Sequence, residues 1–191
     1  MKIRFFVIIL SALIQVSGCN SPPKDMTSPQ GAYAMYLNAI AEGNGDAAYN
    51  LLKKEVKTEI DETLANLKKT ARLIDEKYPA VLKEKALREH CPNGICRAED
   101  SGKFLEMMMK YDKGIKMSFT EQLGARIKKI YNDKGIVRIT TVAGDVYNFE
   151  KGGDEKYYYI PGDDDLKAIG TARIKSREAL LIVEKEIEAL P

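Results

Sequence analysis

The spacing of apolar residues changes once along the chain, from helical to strand-like, and this change constrains the fold more than any other feature. Before Gly114, apolar residues recur every three or four positions, and from Val56 to Tyr78 they predict a long amphipathic helix that Pro79 ends. After Gly114 come four short β-rich runs separated by glycine-containing turns, as in antiparallel hairpins: 125–131, 136–142, 145–150 and 156–160. A last helix is predicted from about Asp164 to Leu190. The order predicts an α+β fold of N-terminal helices, a curved antiparallel sheet of about four strands and a C-terminal helix.

Shorter helices are predicted ahead of the strands from their start and stop signals. Ser28 followed by Pro29 is a typical helix start, and glycines at 43 and 45 end that helix. Asp46 is a candidate cap for a second helix. Further helices are expected at 81–88 and from Asp100 or Ser101 onward.

The N-terminal residues form a targeting segment. Lys2 and Arg4 precede an apolar run, Phe5 to Ile14, which is about ten residues long and too short for a bilayer span of roughly 20. Val16-Ser17-Gly18-Cys19 follows it and resembles the lipobox of bacterial lipoproteins. This resemblance implies removal of residues 1–18 and acylation of Cys19.

The resemblance divides the chain into a signal peptide (1–18), a lipidated tether (19–28) and a single α+β domain (29–191). An ordinary secretory signal is the alternative, but it would leave three cysteines in an exported protein, and lipidation of Cys19 removes the odd one. Asn20 after the cysteine implies transfer to the outer membrane, facing the periplasm. The inner membrane and the cell surface remain open.

The numbers of basic and acidic residues indicate which kinds of partner to expect. The chain has 30 basic and 28 acidic residues, and loss of Lys2 and Arg4 with the signal leaves 28 of each. A nucleic-acid partner is therefore not expected, since such proteins carry a basic surplus. The expected partners are the lipid bilayer, through acylated Cys19, and another envelope protein.

A second resemblance concerns the domain itself. The segment from Ala41 to Leu52 (Ala-Glu-Gly-Asn-Gly-Asp-Ala-Ala-Tyr-Asn-Leu-Leu) and the hairpins at 125–160 resemble the nuclear transport factor two-like superfamily. That resemblance implies a cone-shaped domain that can hold a ligand between its sheet and its helices. The long helix at 54–78 and the insertion that carries Cys91 depart from the usual pattern.

Two cysteines flank a turn in the run Cys91-Pro92-Asn93-Gly94-Ile95-Cys96. Pro-Asn-Gly favours a tight turn that brings the sulfurs together, which predicts a disulfide in an exported protein. A metal site with His90 is the alternative, but zinc normally requires four ligands, and no second cysteine pair exists. No metal ligand or cofactor is therefore assigned.

Three residues are candidates for a ligand pocket: Met108, Tyr157 and Tyr159. The two tyrosines share one face of a strand, and methionine adapts to irregular apolar spaces. Packing in the core is the alternative for all three. The acidic run 163–165 lacks the ligand spacing of a calcium loop, so we interpret it as capping the amides of the last helix and opposing its dipole.

The sequence contains little that indicates an enzyme. His90 is the only histidine, and no serine elbow, phosphate loop or zincin motif occurs. The sequence therefore predicts a non-enzymatic, membrane-anchored envelope lipoprotein that acts as an interaction or structural module. The alternatives are a carrier of a small lipid or metabolite and a hydrolase or isomerase on the same fold.

Overall fold

In the computed structural model, which describes residues 25–111 and 125–190, helices come first, an antiparallel sheet follows and a long helix ends the domain. The helices before the sheet are α1 (Pro29–Glu42), α2 (Gly45–Leu51), α3 (Lys54–Lys77), α4 (Ala80–His90), a short 3₁₀ segment (Pro92–Arg97) and α5 (Ser101–Tyr111). The strands are β1 (Ile127–Asp133), β2 (Ile136–Thr141), β3 (Val146–Lys151) and β4 (Tyr157–Ile160), and α6 (Asp163–Glu188) follows them. This is the α+β arrangement that the sequence predicted.

The start of α1 follows its sequence signals, whereas the start of α2 differs. The Ser28 side chain accepts a hydrogen bond from the Gly31 amide at 3.1 Å, which satisfies one free amide of α1. Asn44 caps α2 by accepting from the Ala47 amide at 3.0 Å. The prediction that Asp46 is the cap is wrong, because α2 begins at Gly45 and places Asp46 inside its first turn.

The start of α6 also differs from the expectation. The capping position is Gly162, which has no side chain, and no side-chain hydrogen bond caps the helix there. The three carboxylates at 163–165 lie in the first turn. The interpretation that they cap the helix is therefore wrong, while their position beside the positive end of the helix dipole is as expected.

The two long helices, α3 and α6, pack against each other along their length. The α3 helix turns its buried face inward, with Ile60, Leu64 and Ile74 almost fully covered. The Asn66 side-chain amide donates to the Ser176 hydroxyl at 3.2 Å across the interface. These contacts fix α6 as a wall of the domain.

The four strands form one sheet in the order β1-β2-β3-β4, with all neighbours antiparallel. Val137 pairs with Phe149, and Phe149 pairs with Tyr159, so these three buried side chains lie in a row across the sheet. Because side chains alternate between faces along a strand, this row marks the face that packs on the helices.

Backbone groups from the N-terminal half cover the outer edge of β4. The Tyr159 carbonyl accepts from the Lys53 amide at 3.0 Å, and the Tyr157 amide donates to the Met26 carbonyl at 2.7 Å. Leu52 also forms a parallel bridge with Tyr159. The joint between α2 and α3 is therefore attached to the sheet.

The core has a main part between the sheet and the helices and two smaller parts. The main part includes Phe104, Ile139 and Phe149. One smaller part joins the C-terminal halves of α3 and α6 to α4, with Ile74 and Val183 fully buried. The other lies between α1 and α2. No helix among the described residues is long and apolar enough to cross a membrane.

Candidate functional site

A cavity opens between the sheet and five of the helices, α1, α2, α3, α5 and α6. It has a volume of about 390 Å³ and is open to solvent on one side. Its lining is mostly apolar and consists of Tyr36, Ile40, Ala48, Leu52, Ile60, Thr63, Phe104, Leu105, Met108, Met109, Tyr159, Pro161, Asp165, Ala168, Ile169 and Ala172. Volume and composition are those of a small-molecule site, which is typically a concave apolar space with a few polar groups.

Helical spacing explains how the walls form. The cavity residues of α6 begin at Asp165 and continue at the third, fourth and seventh positions after it, which is one face of a helix. In α5, Phe104 and Met108 are four residues apart and share a face, as do Tyr36 and Ile40 in α1. Each helix therefore gives one apolar stripe to the cavity.

A close approach of two glycines sets the position of α5 against α2. A Cβ atom built on Gly45 would lie 2.9 Å from the Glu106 Cα, and one on Gly102 would lie 2.8 Å from the Asp46 Cα. Real Cβ atoms essentially never come that close, so the backbones of α2 and α5 approach because neither glycine has a side chain. This close contact fixes the position of α5, which carries Met108 in the wall of the cavity.

Two tyrosine rings, one from α1 and one from β4, lie together in the lining of the cavity. The ring centroids of Tyr36 and Tyr159 are 4.0 Å apart, and Tyr159 also packs against Phe149 at 5.7 Å. Burial raises the pKa of Tyr159 to about 12. Burial, followed by the neighbouring Tyr159, raises the pKa of Tyr36 as well. Both phenols therefore stay protonated and uncharged at neutral pH.

The structure brings together two of the three residues that the sequence suggested for a pocket. Met108 and Tyr159 line the cavity, on α5 and β4 respectively. Tyr157 does not line it. Tyr157 shares the strand face of Tyr159 but lies two residues, roughly 7 Å, before it on β4, where it packs on the main core. Sequence reasoning missed Tyr36 and Asp165, although each has helical spacing to other lining residues.

The two cysteines of the predicted disulfide lie at disulfide distance, with their Cα atoms 5.7 Å apart. Between them Asn93 and Gly94 adopt left-handed backbone angles, with φ of 58° and 70°, and the chain turns sharply there. Both sulfur-bearing residues are buried in the main core. Cys19 and the predicted signal peptide, 1–18, lie outside the described residues.

A second, polar cleft of about 400 Å³ lies at the start of α3 and contains several lysines. Two of them have contacts within the protein. Lys53 forms an ion pair with Glu150 at 2.5 Å, and this hydrogen bond raises the pKa of Lys53. Lys57 donates to the Asn50 carbonyl at 2.9 Å, and burial lowers its pKa. These two contacts tie the start of α3 to β3 and to the end of α2.

A hydrogen-bonded cluster of three polar side chains, Tyr49, Asp61 and Ser101, joins α2, α3 and α5. Asp61 accepts from the Tyr49 hydroxyl at 2.7 Å and from the Ser101 hydroxyl at 2.5 Å. Burial, and then the bond to Asp61, raises the pKa of Tyr49 to about 12. No histidine contributes here, since His90 lies at the end of α4. The Asp61 carboxylate thus satisfies two hydroxyls and links the three helices.

In residues 25–111 and 125–190, no three histidine, cysteine, aspartate or glutamate side chains cluster so that they could hold a metal ion. No protein-family model, curated protein or solved structure matches the chain. The resemblances to bacterial lipoprotein signals and to the nuclear transport factor two-like superfamily stay predictions from the sequence.

Proposed function

We propose that this protein is a non-enzymatic, lipid-anchored envelope protein whose domain binds a small apolar ligand in the cavity between the sheet and the helices. The single observation that supports binding is the apolar, solvent-open cavity of about 390 Å³. Of the functions that the sequence suggested, a small-ligand carrier is the one that this geometry favours.

The size of the cavity limits the ligand. At roughly 30 Å³ for each non-hydrogen atom, the share of a water molecule in the liquid, about 390 Å³ accommodates about 13 such atoms. A medium-length alkyl chain or a small ring system fits this number. A complete phospholipid does not fit, although one of its chains could enter from the open side.

The lining supports binding without chemistry. Its hydroxyl groups belong to Thr63, Tyr36 and Tyr159. The Thr63 hydroxyl donates to the Glu59 carbonyl at 2.7 Å within its own helix, and burial raises the pKa of both tyrosines. An activated nucleophile needs a base within hydrogen-bond reach. Among the described residues, no histidine, lysine or cysteine lines the cavity, and none of the three hydroxyls donates to Asp165, the carboxylate of the lining.

Acylation of Cys19 would hold the domain near a source of apolar ligands. Cys19 lies seven positions before Met26, whose carbonyl already pairs with β4. A proline-containing segment of this length reaches about 20 Å, at about 3 Å per residue. We place the domain on the periplasmic side of the outer membrane, within this distance of the bilayer.

The binding proposal is tested with decan-1-ol, which has 11 non-hydrogen atoms and no charge. Calorimetric titration of the purified protein should show saturable binding, and the melting temperature should rise as the ligand is added. Ala172→Leu, at the mouth of the cavity, should weaken binding. Ala65→Leu is the matched control, since Ala65 is an exposed helical residue outside the lining. Equal affinities for the wild type and both variants would place binding elsewhere and refute the proposal.

A second function, docking to another envelope protein, is favoured by the outer face of α6. Ile174 is 54% exposed and Leu181 is 55% exposed, and seven residues separate them, so both lie on one side of the helix. Crosslinking in intact envelopes through a photoreactive residue at 174 should capture one specific partner. A reaction confined to the bilayer would contradict this function.

A further inference from the structure

Four of the described lining residues carry polar side-chain groups, and the Thr63 hydroxyl is already bonded within its own helix, which leaves Tyr36, Tyr159 and Asp165. Tyr36 and Tyr159 stack with ring centroids 4.0 Å apart, and Asp165 lines the same cavity from the first turn of α6. The charge of Asp165 contributes to the raised pKa of both tyrosines. These three residues share the lining of one cavity and give it a polar part within an otherwise mostly apolar lining.

The charge of this polar part is negative. Among the described residues, Asp165 is the one carboxylate of the lining, no lysine, arginine or histidine lines the cavity, and the tyrosines stay uncharged. Asp163 and Asp164 add negative charge beside it, and Lys167 offsets one unit from outside the lining. The N-terminus of α6 contributes roughly half a positive charge, which is smaller than the surplus of the three carboxylates.

A ligand that buries its apolar part here must leave its head group beside these oxygens. A carboxylate head would face Asp165 without a cation to pair with it, and like charges in a partly desolvated site repel. An ammonium head would instead pair with Asp165. It could also donate hydrogen bonds to the phenol oxygens of Tyr36 and Tyr159, and the aromatic faces attract a cation.

We infer that the cavity selects a small apolar amine, with its ammonium group at Asp165 between Tyr36 and Tyr159, over the carboxylate of the same chain length. This inference rests on the proposed function, since it names the chemical class of ligand for the same cavity. It goes beyond that function because an apolar cavity alone would accept an alcohol, an amine and an acid with similar affinity.

Three probes with ten-carbon chains distinguish the head groups: decylamine, decan-1-ol and decanoate, each used below its critical micelle concentration. Calorimetric titration of the purified protein at neutral pH should show that decylamine binds most tightly and decanoate most weakly. Asp165→Asn keeps the size of the side chain but removes its charge. It should weaken decylamine binding by about twofold to fivefold, the range expected for an exposed charged contact, and should leave decanol binding unchanged.

Asp164→Asn is the matched control, because Asp164 lies in the same turn but faces a neighbouring surface groove. It should change decylamine binding by less than twofold, since a charge outside the cavity is screened by solvent. Equal effects of the two variants would reduce the inference to a general attraction of cations and overturn it.

The remaining outcomes separate the two proposals. If decanol binds but decylamine shows no preference, or if decanoate binds as tightly, the head-group inference is wrong and the proposed function stands. If none of the three probes binds, the proposed function is refuted and the inference falls with it.

Discussion

Gly45→Ala should destabilise the protein, although the same substitution in most helices stabilises it. An alanine at a position with ordinary helical angles typically gains about 0.4–1 kcal/mol, because the unfolded chain loses freedom and alanine favours the helix. At Gly45 the added Cβ would lie 2.9 Å from the Glu106 Cα and closer still to the Gly102 carbonyl oxygen. These obstacles are backbone atoms, so they cannot rotate away, and α2 and α5 must separate.

The size of the effect follows from the two opposing contributions. Overpacking of a well-packed site costs about 1–3 kcal/mol, which exceeds the helix gain of under about 1 kcal/mol. We expect a net loss of about 1–2 kcal/mol for Gly45→Ala, and a melting temperature lower by roughly 2–8 °C for a domain of this size. Gly102→Ala should act in the same direction, since its Cβ would meet the Asp46 Cα at 2.8 Å. The double variant should cost less than the sum, because both changes separate the same two helices.

Gly170→Ala is the control. Gly170 lies in α6, and a Cβ built on it would meet nothing within 4 Å. This variant should gain about 0.4–1 kcal/mol. Urea unfolding, followed by circular dichroism, measures all four variants against the wild type. If Gly45→Ala gains stability as Gly170→Ala does, α2 and α5 do not touch as described and the reasoning is refuted.

Three further predictions concern the disulfide, alkaline pH and the anchor. Replacing Cys91 and Cys96 together by alanine should cost about 2 kcal/mol in urea unfolding, the loop-closure value for so short a ring; an unchanged midpoint together with free-thiol labelling of the wild type would contradict it. The pKa values of Tyr78 and Tyr159 are raised to about 12, chiefly by burial. As the pH rises, the unfolded chain therefore loses these protons before the folded chain does. The free energy of unfolding should be unaffected below a pH of about 10 and should fall as the pH rises toward 12. If all the tyrosinate absorbance appears near a pH of about 10 without unfolding, this prediction is wrong. Intact mass of membrane-extracted protein should show loss of residues 1–18 and added acyl mass, and Cys19→Ser should abolish both; an unmodified soluble chain that begins at Cys19 would exclude lipidation.

Local signals in the sequence were sufficient for the order of the elements. Ser28 before Pro29 predicted the first helix, and the apolar spacing from Val56 predicted the long α3. Asp46 was the predicted cap of α2, whereas Asn44, two positions earlier and also a good capping residue, is the cap. The choice depends on where the chain leaves Gly43, whose left-handed φ of 63° ends α1.

The cavity was predicted less completely, because its position depends on contacts between residues that are distant in the chain. Alternation on a strand placed Tyr157 and Tyr159 on one face, but only the packing of α5 and α6 decides which of them reaches the cavity. The approach of Gly45 to Gly102 joins positions 57 residues apart, and each glycine alone looks like a turn or a weak helix position. Asp165 was not assigned to the cavity, because carboxylates in the first turn of a helix are already explained by the helix dipole.

The covered edge of β4 has a consequence for self-association. An unpaired strand edge is a template on which identical chains can stack into fibrils. Because the backbone at Met26 and Lys53 already occupies hydrogen-bonding groups of β4, a second copy cannot add there without displacing it. At the other side of the described sheet, β1 has exposed Lys128 and Lys129, and stacked copies would bring these ammonium groups together. The domain can therefore be present at high local concentration and still resist polymerisation through its sheet.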